Sequence, residues 1–302
     1  MRHIKLTLIF LALTGVSWGQ QDPQISLYLR NPTQFNAAHV GGAGGLRVTA
    51  LTRMQWVGWE DAPRTQCFSA HSMAFKSGLA LGLSAVTDAS GARSHKEIMG
   101  QMAYHLPTIE GGLNISGGLN LGLQLDGFDF GDMYAANMND DWISAPWQQS
   151  AFNMGFGFLA SIEGVFLGVS IPHILQYELG NAAPVGRYLN HRYLTFGYTH
   201  RVNSMLEARL CGLVKSVKDA PSSVDINAEV WVKEAISFGI MARFKEGMGV
   251  QTSYLFRDGW RVHYGVDFPL NGLMSRTFGS HEIGLAWDFG QRPVAFTNPR
   301  YF

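Results

Sequence analysis

Residues 113–126, LNISGGLNLGLQLD, alternate with a period of two. Leu113, Ile115, Leu119, Leu121, Leu123 and Leu125 share one parity; Asn114, Ser116, Asn120, Gln124 and Asp126 share the other. Successive side chains leave a β-strand on opposite faces, so this segment is a strand with one aliphatic and one polar face. Two settings suit it. In a soluble sandwich the aliphatic face would point to the core; in a transmembrane barrel it would point to lipid and the polar face to a lumen.

The connections separate the two settings. Fourteen candidate strands run between residues 46 and 289, most of them nine to eleven residues long, enough to cross a bilayer at a tilt of about 45°. Phe152, Met154, Phe156 and Phe158 oppose Asn153, Gly155 and Gly157, and Val224, Ile226, Ala228 and Val230 oppose Asp225, Asn227 and Glu229. Even-numbered connections are short, as at Glu163-Gly164 and Val202-Asn203. Odd-numbered ones are mostly longer: 57–64, 88–95, 127–150, 175–191, 218–222 and 269–280. Short turns at one end and long loops at the other are the build of outer-membrane barrels, and a sandwich has no reason to sort loops by parity. The expectation is an all-β, antiparallel transmembrane barrel of fourteen strands. Twelve is the alternative if the weakly patterned segments 96–106 and 248–256 are loops.

Composition agrees. Charged residues make up 15% of the chain, against about 25% in soluble domains. The 23 basic and 23 acidic side chains balance, which argues against nucleic acid as a partner. Trp56, Trp59, Phe75, Tyr104, Phe128, Tyr193, Phe256, Trp260, Phe268 and Trp287 fall near strand ends, where interfacial girdles form. Glu207, Arg209, Lys215, Asp225, Glu229, Arg243 and Arg261 lie on the polar parity and carry both signs.

The N-terminus reads as a secretory signal: Arg2, His3 and Lys5, an apolar run from Leu6 to Val16, then Ser17-Trp18-Gly19 before a cut at Gln20. The expected organisation is a signal over 1–19, a periplasmic or plug segment over 20–45, and a barrel with a periplasmic tail over 46–302. Cys67 and Cys211 are too few for a disulfide scaffold. No nucleophile elbow, zinc helix or phosphate loop is present, so no enzyme and no cofactor is expected. Asp140 and Asp141, in an acidic loop with Asp129 and Asp132, are weak candidate Ca²⁺ ligands.

Three segments resemble the PorP/SprF family of type IX secretion system membrane proteins. The first is Asp22-Pro23-Gln24 through Tyr28, Asn31-Pro32 and Asn36-Ala37-Ala38 to Gly41. The second is Arg53-x-Gln55-Trp56-Val57-Gly58 with Ala62-Pro63-Arg64-Thr65-Gln66. The third comprises Gly168-Val169-Ser170-Ile171-Pro172 and the terminal Asn298-Pro299-Arg300-Tyr301-Phe302. The resemblance implies an outer-membrane barrel of the export and gliding machinery. Its implied partners are a secreted adhesin-like client protein, periplasmic type IX or peptidoglycan-binding components, and the lipid bilayer. The rival is a FadL-like or porin-like solute channel. Candidate partner contacts are Asp22, Tyr28, Asn31, Asn36, Arg53, Gln55, Trp56, Trp59, Pro63, Arg64, Gln66, Phe128, Trp142, Trp147, Tyr177 and Tyr188. The first-loop motif either shapes the first hairpin or touches a client, and the opening segment either fills the barrel mouth or meets a periplasmic partner.

Overall fold

A computed structural model describes residues 22–74, 78–108, 112–129, 146–180, 186–256 and 259–289. Its strands are β1 (Leu46–Met54), β2 (Arg64–Met73), β3 (Leu79–Ser90), β4 (Arg93–His105), β5 (Asn114–Phe128), β6 (Trp147–Ile162), β7 (Val165–Ile171), β8 (Tyr177–Leu179), β9 (Gly186–Tyr188), β10 (His191–Arg201), β11 (Leu206–Val217), β12 (Ser223–Val232), β13 (Ile236–Arg243), β14 (Gly247–Leu255), β15 (Trp260–Pro269) and β16 (Ser280–Phe289). All except β8 and β9 pair antiparallel with their neighbours, and β1 closes on β16. The result is a closed fourteen-stranded barrel; segments 96–106 and 248–256, the two that were open to a loop reading, are both strands. β8 and β9 form a separate two-stranded hairpin.

The alternation sorts inside from outside. On β5, Leu119, Leu121 and Leu123 are more than half exposed, while Asn120, Gln124 and Asp126 are buried. The same inversion recurs around the wall, with Phe158, Leu167, Leu210, Phe238 and Ile240 facing outward. A wall with apolar side chains outside and buried polar ones inside is stable only in lipid, where closure of β1 on β16 also removes the two edges that an open sheet would leave. The apolar band has a limit. Thr87, Lys96, Leu125 and Ser150 form one cross-strand row, and the outward positions beyond it on β6 are polar.

Several boundaries differ from the sequence reading. The connection expected over 88–95 is a turn of residues 91–92, because β3 and β4 continue to Ser90 and from Arg93. Likewise β5 and β6 extend to Phe128 and from Trp147, so β3 to β6 form one tall side of the barrel. β1 stops at Met54, and Trp56 sits in the following loop at φ 48, a conformation that holds a bulky side chain only when surrounding contacts impose it. Tyr193, expected in a girdle, is buried in the lumen. At the other end, Glu163 and Gly164 both have positive φ (47° and 86°), the hairpin turn whose twist matches the strands it joins.

Candidate functional site

The lumen is filled by the chain's own N-terminal segment. Residues 22–45 thread it as three short 3-10 turns, Tyr28–Arg30, Pro32–Gln34 and Ala37–His39, and bury Ile25, Leu27, Tyr28, Leu29, Phe35, Ala38 and Val40. Backbone without a ladder must find other partners when buried, and the wall supplies them. The Ser26 and Leu27 amides donate to the Glu282 carboxylate (2.6 and 2.7 Å). Gln101 donates to the Thr33 carbonyl (2.8 Å), Ser170 to that of Phe35 (2.7 Å), and Ser116 to that of Ala38 (2.9 Å). The Asn36 amide donates to the carbonyls of Phe158 (3.0 Å) and Val169 (3.5 Å), and its oxygen caps the Ala38 amide (2.9 Å). Gly118, Gly157 and Gly168 line this crossing, and a Cβ at any of them would collide with residues 36–38 or Thr195.

Ion pairs fix the segment in register. Arg53 joins Asp267 and Glu282 and also donates to Ser26 (3.0 Å). Arg30 pairs with Glu229, and Arg30 and Arg209 flank the Trp231 ring at 5.3 and 4.9 Å. Lys215 and Arg243 share Asp225. The charged lumen wall is therefore a cross-linked packing surface. Two cavities between plug and wall among the described residues, one beside Tyr28, Arg47 and Thr195 and one beside Asp22, Glu97 and Tyr193, hold about 30 Å³ each, space for a water or two.

A second element closes the lumen from the long-loop end. After β7, Pro172 and His173 turn inward, and the β8–β9 hairpin folds over the opening. Tyr177 and Tyr188, opposite each other in the hairpin, stack at 5.2 Å. Tyr177 donates to Asp126 (2.7 Å); Gln124 donates to Glu97 (2.8 Å) and accepts from Asn153 (2.9 Å). The plug and the hairpin meet at Asp22, which accepts from Tyr188 (2.8 Å) and Tyr193 (2.7 Å) and lies 3.3 Å from His191. Burial would raise the Asp22 carboxyl, but His191, His173 and the two tyrosine hydroxyls outweigh it and hold it well below the usual carboxylate range. Burial likewise opposes charge on His173, yet the Glu97 carboxylate at 2.6 Å pushes its imidazole up to about 9.

The candidate contact residues thus divide into groups. Asp22, Tyr28, Asn31, Asn36, Arg53, Tyr177 and Tyr188 belong to the lumen network, Asn31 through the Ser69 hydroxyl at 2.7 Å. Gln55, Trp56, Trp59 and Pro63 stand on the first long loop, and Arg64, the first residue of β2, and Gln66 are exposed on the outer face of that strand. That loop is braced against the last one: Val57 donates to Gly279 (2.8 Å), Phe278 to Val57 (2.8 Å), and the Trp59 indole to Arg276 (2.8 Å). Trp59 and Phe278 remain 43% and 74% exposed on this rigid rim. Phe128 and Trp147 face each other at 5.2 Å across β5 and β6. Trp142 and the Ca²⁺ candidates Asp140 and Asp141 lie outside the described residues, as do the signal segment and the C-terminal motif.

Sequence reasoning missed Glu97, His95, His173, His191 and Tyr193. Only the polar parity of β4 hinted at the first two. His173 follows a proline at a strand end, which gives no sign that the chain turns inward there. The free thiols Cys67 and Cys211 are buried against the plug, each within its own strand.

The monoaromatic hydrocarbon channel CymD superposes at a TM-score of 0.50, with 11% identity over 91% of this chain and 95% of that one. A FadL homologue of Pseudomonas aeruginosa gives 0.46 at 11% identity over 92% and 96%. Omp33 of Acinetobacter baumannii gives 0.49 at 9% over 81% and 98%. At such identities the likeness is one of fold, that of outer-membrane barrels. No curated protein matches the sequence. A family profile described as "Type IX secretion system membrane protein PorP/SprF" matches residues 17–287, nearly the whole barrel together with its plug. The chain belongs to the PorP/SprF family of type IX secretion system membrane proteins.

Proposed function

We propose that the protein is a docking component of the type IX secretion and gliding machinery. In this reading it holds a secreted adhesin-like client at the cell surface, and neither conducts solutes nor catalyses a reaction. The supporting observation is the lumen: residues 22–45, 172–180 and 186–190 occupy it through buried hydrogen bonds and ion pairs. A solute path would require that whole network to be displaced. With the interior committed to packing, the surface left for recognition is the long-loop rim, where Trp59 is exposed on a braced loop and Arg64 at the start of β2. Aromatic and Arg residues of this kind dominate protein interfaces. Periplasmic components of the same machinery would meet the short-turn end.

The test combines a pull-down of the tagged protein from detergent extracts with solute flux in liposomes. Recovery of a large secreted surface protein, lost on joint Trp59→Ala and Arg64→Ala substitution, is the expected result. Fast flux of small solutes with no protein recovered would favour a channel instead.

A further inference from the structure

β6 carries an edge that no strand of the described residues pairs and that runs out of the apolar band. Its ladder with β7 ends at Phe156 and Ile171, although β6 runs on to Trp147. The break has a local cause. Asn120 holds the Pro172 carbonyl (2.9 Å) and Glu97 holds His173 (2.6 Å), which draws the chain inward. One contact survives beyond the break, where Ile174 donates to the Met154 carbonyl at 2.8 Å. Asn153 then caps the edge with its side-chain oxygen, which accepts from the amides of Met154 and Leu175.

These contacts assign the direction of every later main-chain group on β6. In an antiparallel sheet alternate residues bond to the same neighbour. Met154 faces the β7 side, so Phe152, Ser150 and Gln148 present their N–H and C=O groups to that side as well. No strand of the described residues pairs with them there. β8 does not take the place: it lies inward, tied to β6 through the Gln149 side chain, which donates to the Glu178 carbonyl (2.9 Å) and accepts from the Gly180 amide (3.2 Å). Along the β6 edge and the chain that leads into the hairpin, apolar Phe152 and Leu175 are exposed, as are polar Gln148, Ser150, Gln176 and Glu178. Ser150 belongs to the row that closes the apolar band, so the edge faces water rather than lipid.

We propose that this edge accepts an extended segment of the docked client as an added β-strand. The inference rests on the docking function above and supplies its recognition chemistry. An open ladder selects extended backbone, since only a strand matches its spacing of donors and acceptors. Phe152 and Leu175 select an apolar residue at the membrane-proximal end of that strand, and Gln148 and Ser150 select polar residues beyond. A second copy of this chain is a poor fit. Barrels inserted in the same orientation would bring two β6 strands together parallel and mutually tilted, and neither would complete the other's ladder.

The experiment places the photo-crosslinker p-benzoylphenylalanine at Gln148 or Ser150 in cells carrying the full machinery, with Lys96, outward on β4, as the control site. Adducts at Gln148 and Ser150 that map by mass spectrometry to one short extended stretch of a secreted protein, and are absent at Lys96, are expected. Ser150→Pro removes an edge N–H that no strand of the barrel uses, whereas Ser150→Ala keeps it. The proline variant should lower the Gln148 adduct about tenfold, the factor that one lost main-chain bond of about 1.4 kcal/mol carries. Gln148→Pro, with the crosslinker at Ser150, repeats the test nearer the strand end, and heat-modifiability on gels checks that each barrel is folded. Adducts confined to this chain or to lipid, or unchanged in both folded proline variants, would overturn the proposal. If the proline variants still recover the client in pull-downs, docking stands and the strand edge falls. If the unmodified protein recovers none, docking itself falls.

Discussion

Arg53 shows how much one side chain carries in this lumen. It is 1% exposed and joins Asp267, Glu282 and Ser26, residues from two strands and the plug. Arg53→Met would leave two buried carboxylates without their cation, a loss of about 3–5 kcal/mol. Reversible urea unfolding in lipid should show it, and Arg53→Lys should recover part of it, because an ammonium keeps the charge but not the forked geometry. His173 gives a pH dependence at the same scale. Its imidazole is raised from 6.5 to about 9 in the folded protein, so its contribution is complete below pH 6.5 and is lost as pH rises through about 9. Asp22 is lowered from 3.8, so its contribution is present above pH 4 or so and is lost in acid. Glu97, His95 and Asp126 from the wall, Tyr177 and Tyr188 from the hairpin, and His191 and Tyr193 from β10 surround this pair. The hairpin should therefore be held most firmly between about pH 4 and 6.5. Hydrogen exchange of residues 177–188 at a series of pH values, corrected for intrinsic rates, measures this. Protection that stays flat from pH 6 to 10 would refute it.

At the scale of one strand, β5 separates lipid from packed lumen. Leu121 is 58% exposed on the outer face, and Leu121→Arg should cost about 2–4 kcal/mol if it lies near the bilayer midplane. Read from sequence, Gln124 is on the polar, lumen-facing parity, where an arginine should cost far less than at Leu121. The structure alters that expectation: Gln124 is 1% exposed and bridges Glu97, Asn153 and Tyr177. Even Gln124→Ala should cost about 1–3 kcal/mol, because those groups lose their partner. Urea titration of both variants in the same lipid distinguishes the causes, since only the Gln124 variant should also increase exchange in the hairpin.

For the whole molecule, two measurements test orientation and closure. Maleimide labelling of intact cells should reach cysteines placed at Ser90 and Ser275 on the long-loop end and miss one at Asn203 on a short turn. The reverse pattern would invert the barrel. Deleting residues 22–40 should convert a barrel that passes no small solutes in liposomes into one that does. Equal flux with and without the plug would mean that the plug does not seal the lumen.

The strand count, the inside and outside faces and the two unlike ends were all legible in the sequence, because a period of two and a connection length are local properties of the chain. The opening segment was also legible as either a plug or a periplasmic contact, with nothing in the sequence to choose between the two. Only the tertiary structure decided which lumen groups pair, since Arg53 meets partners 214 and 229 positions away that come near only when β16 closes on β1. It alone placed Asp22 against Tyr188, shortened the 88–95 loop to a turn, and folded the hairpin inward. Those outcomes follow from burying polar groups in a closed space, where each must find a partner across the lumen, and strand periodicity holds no information about which partner that is.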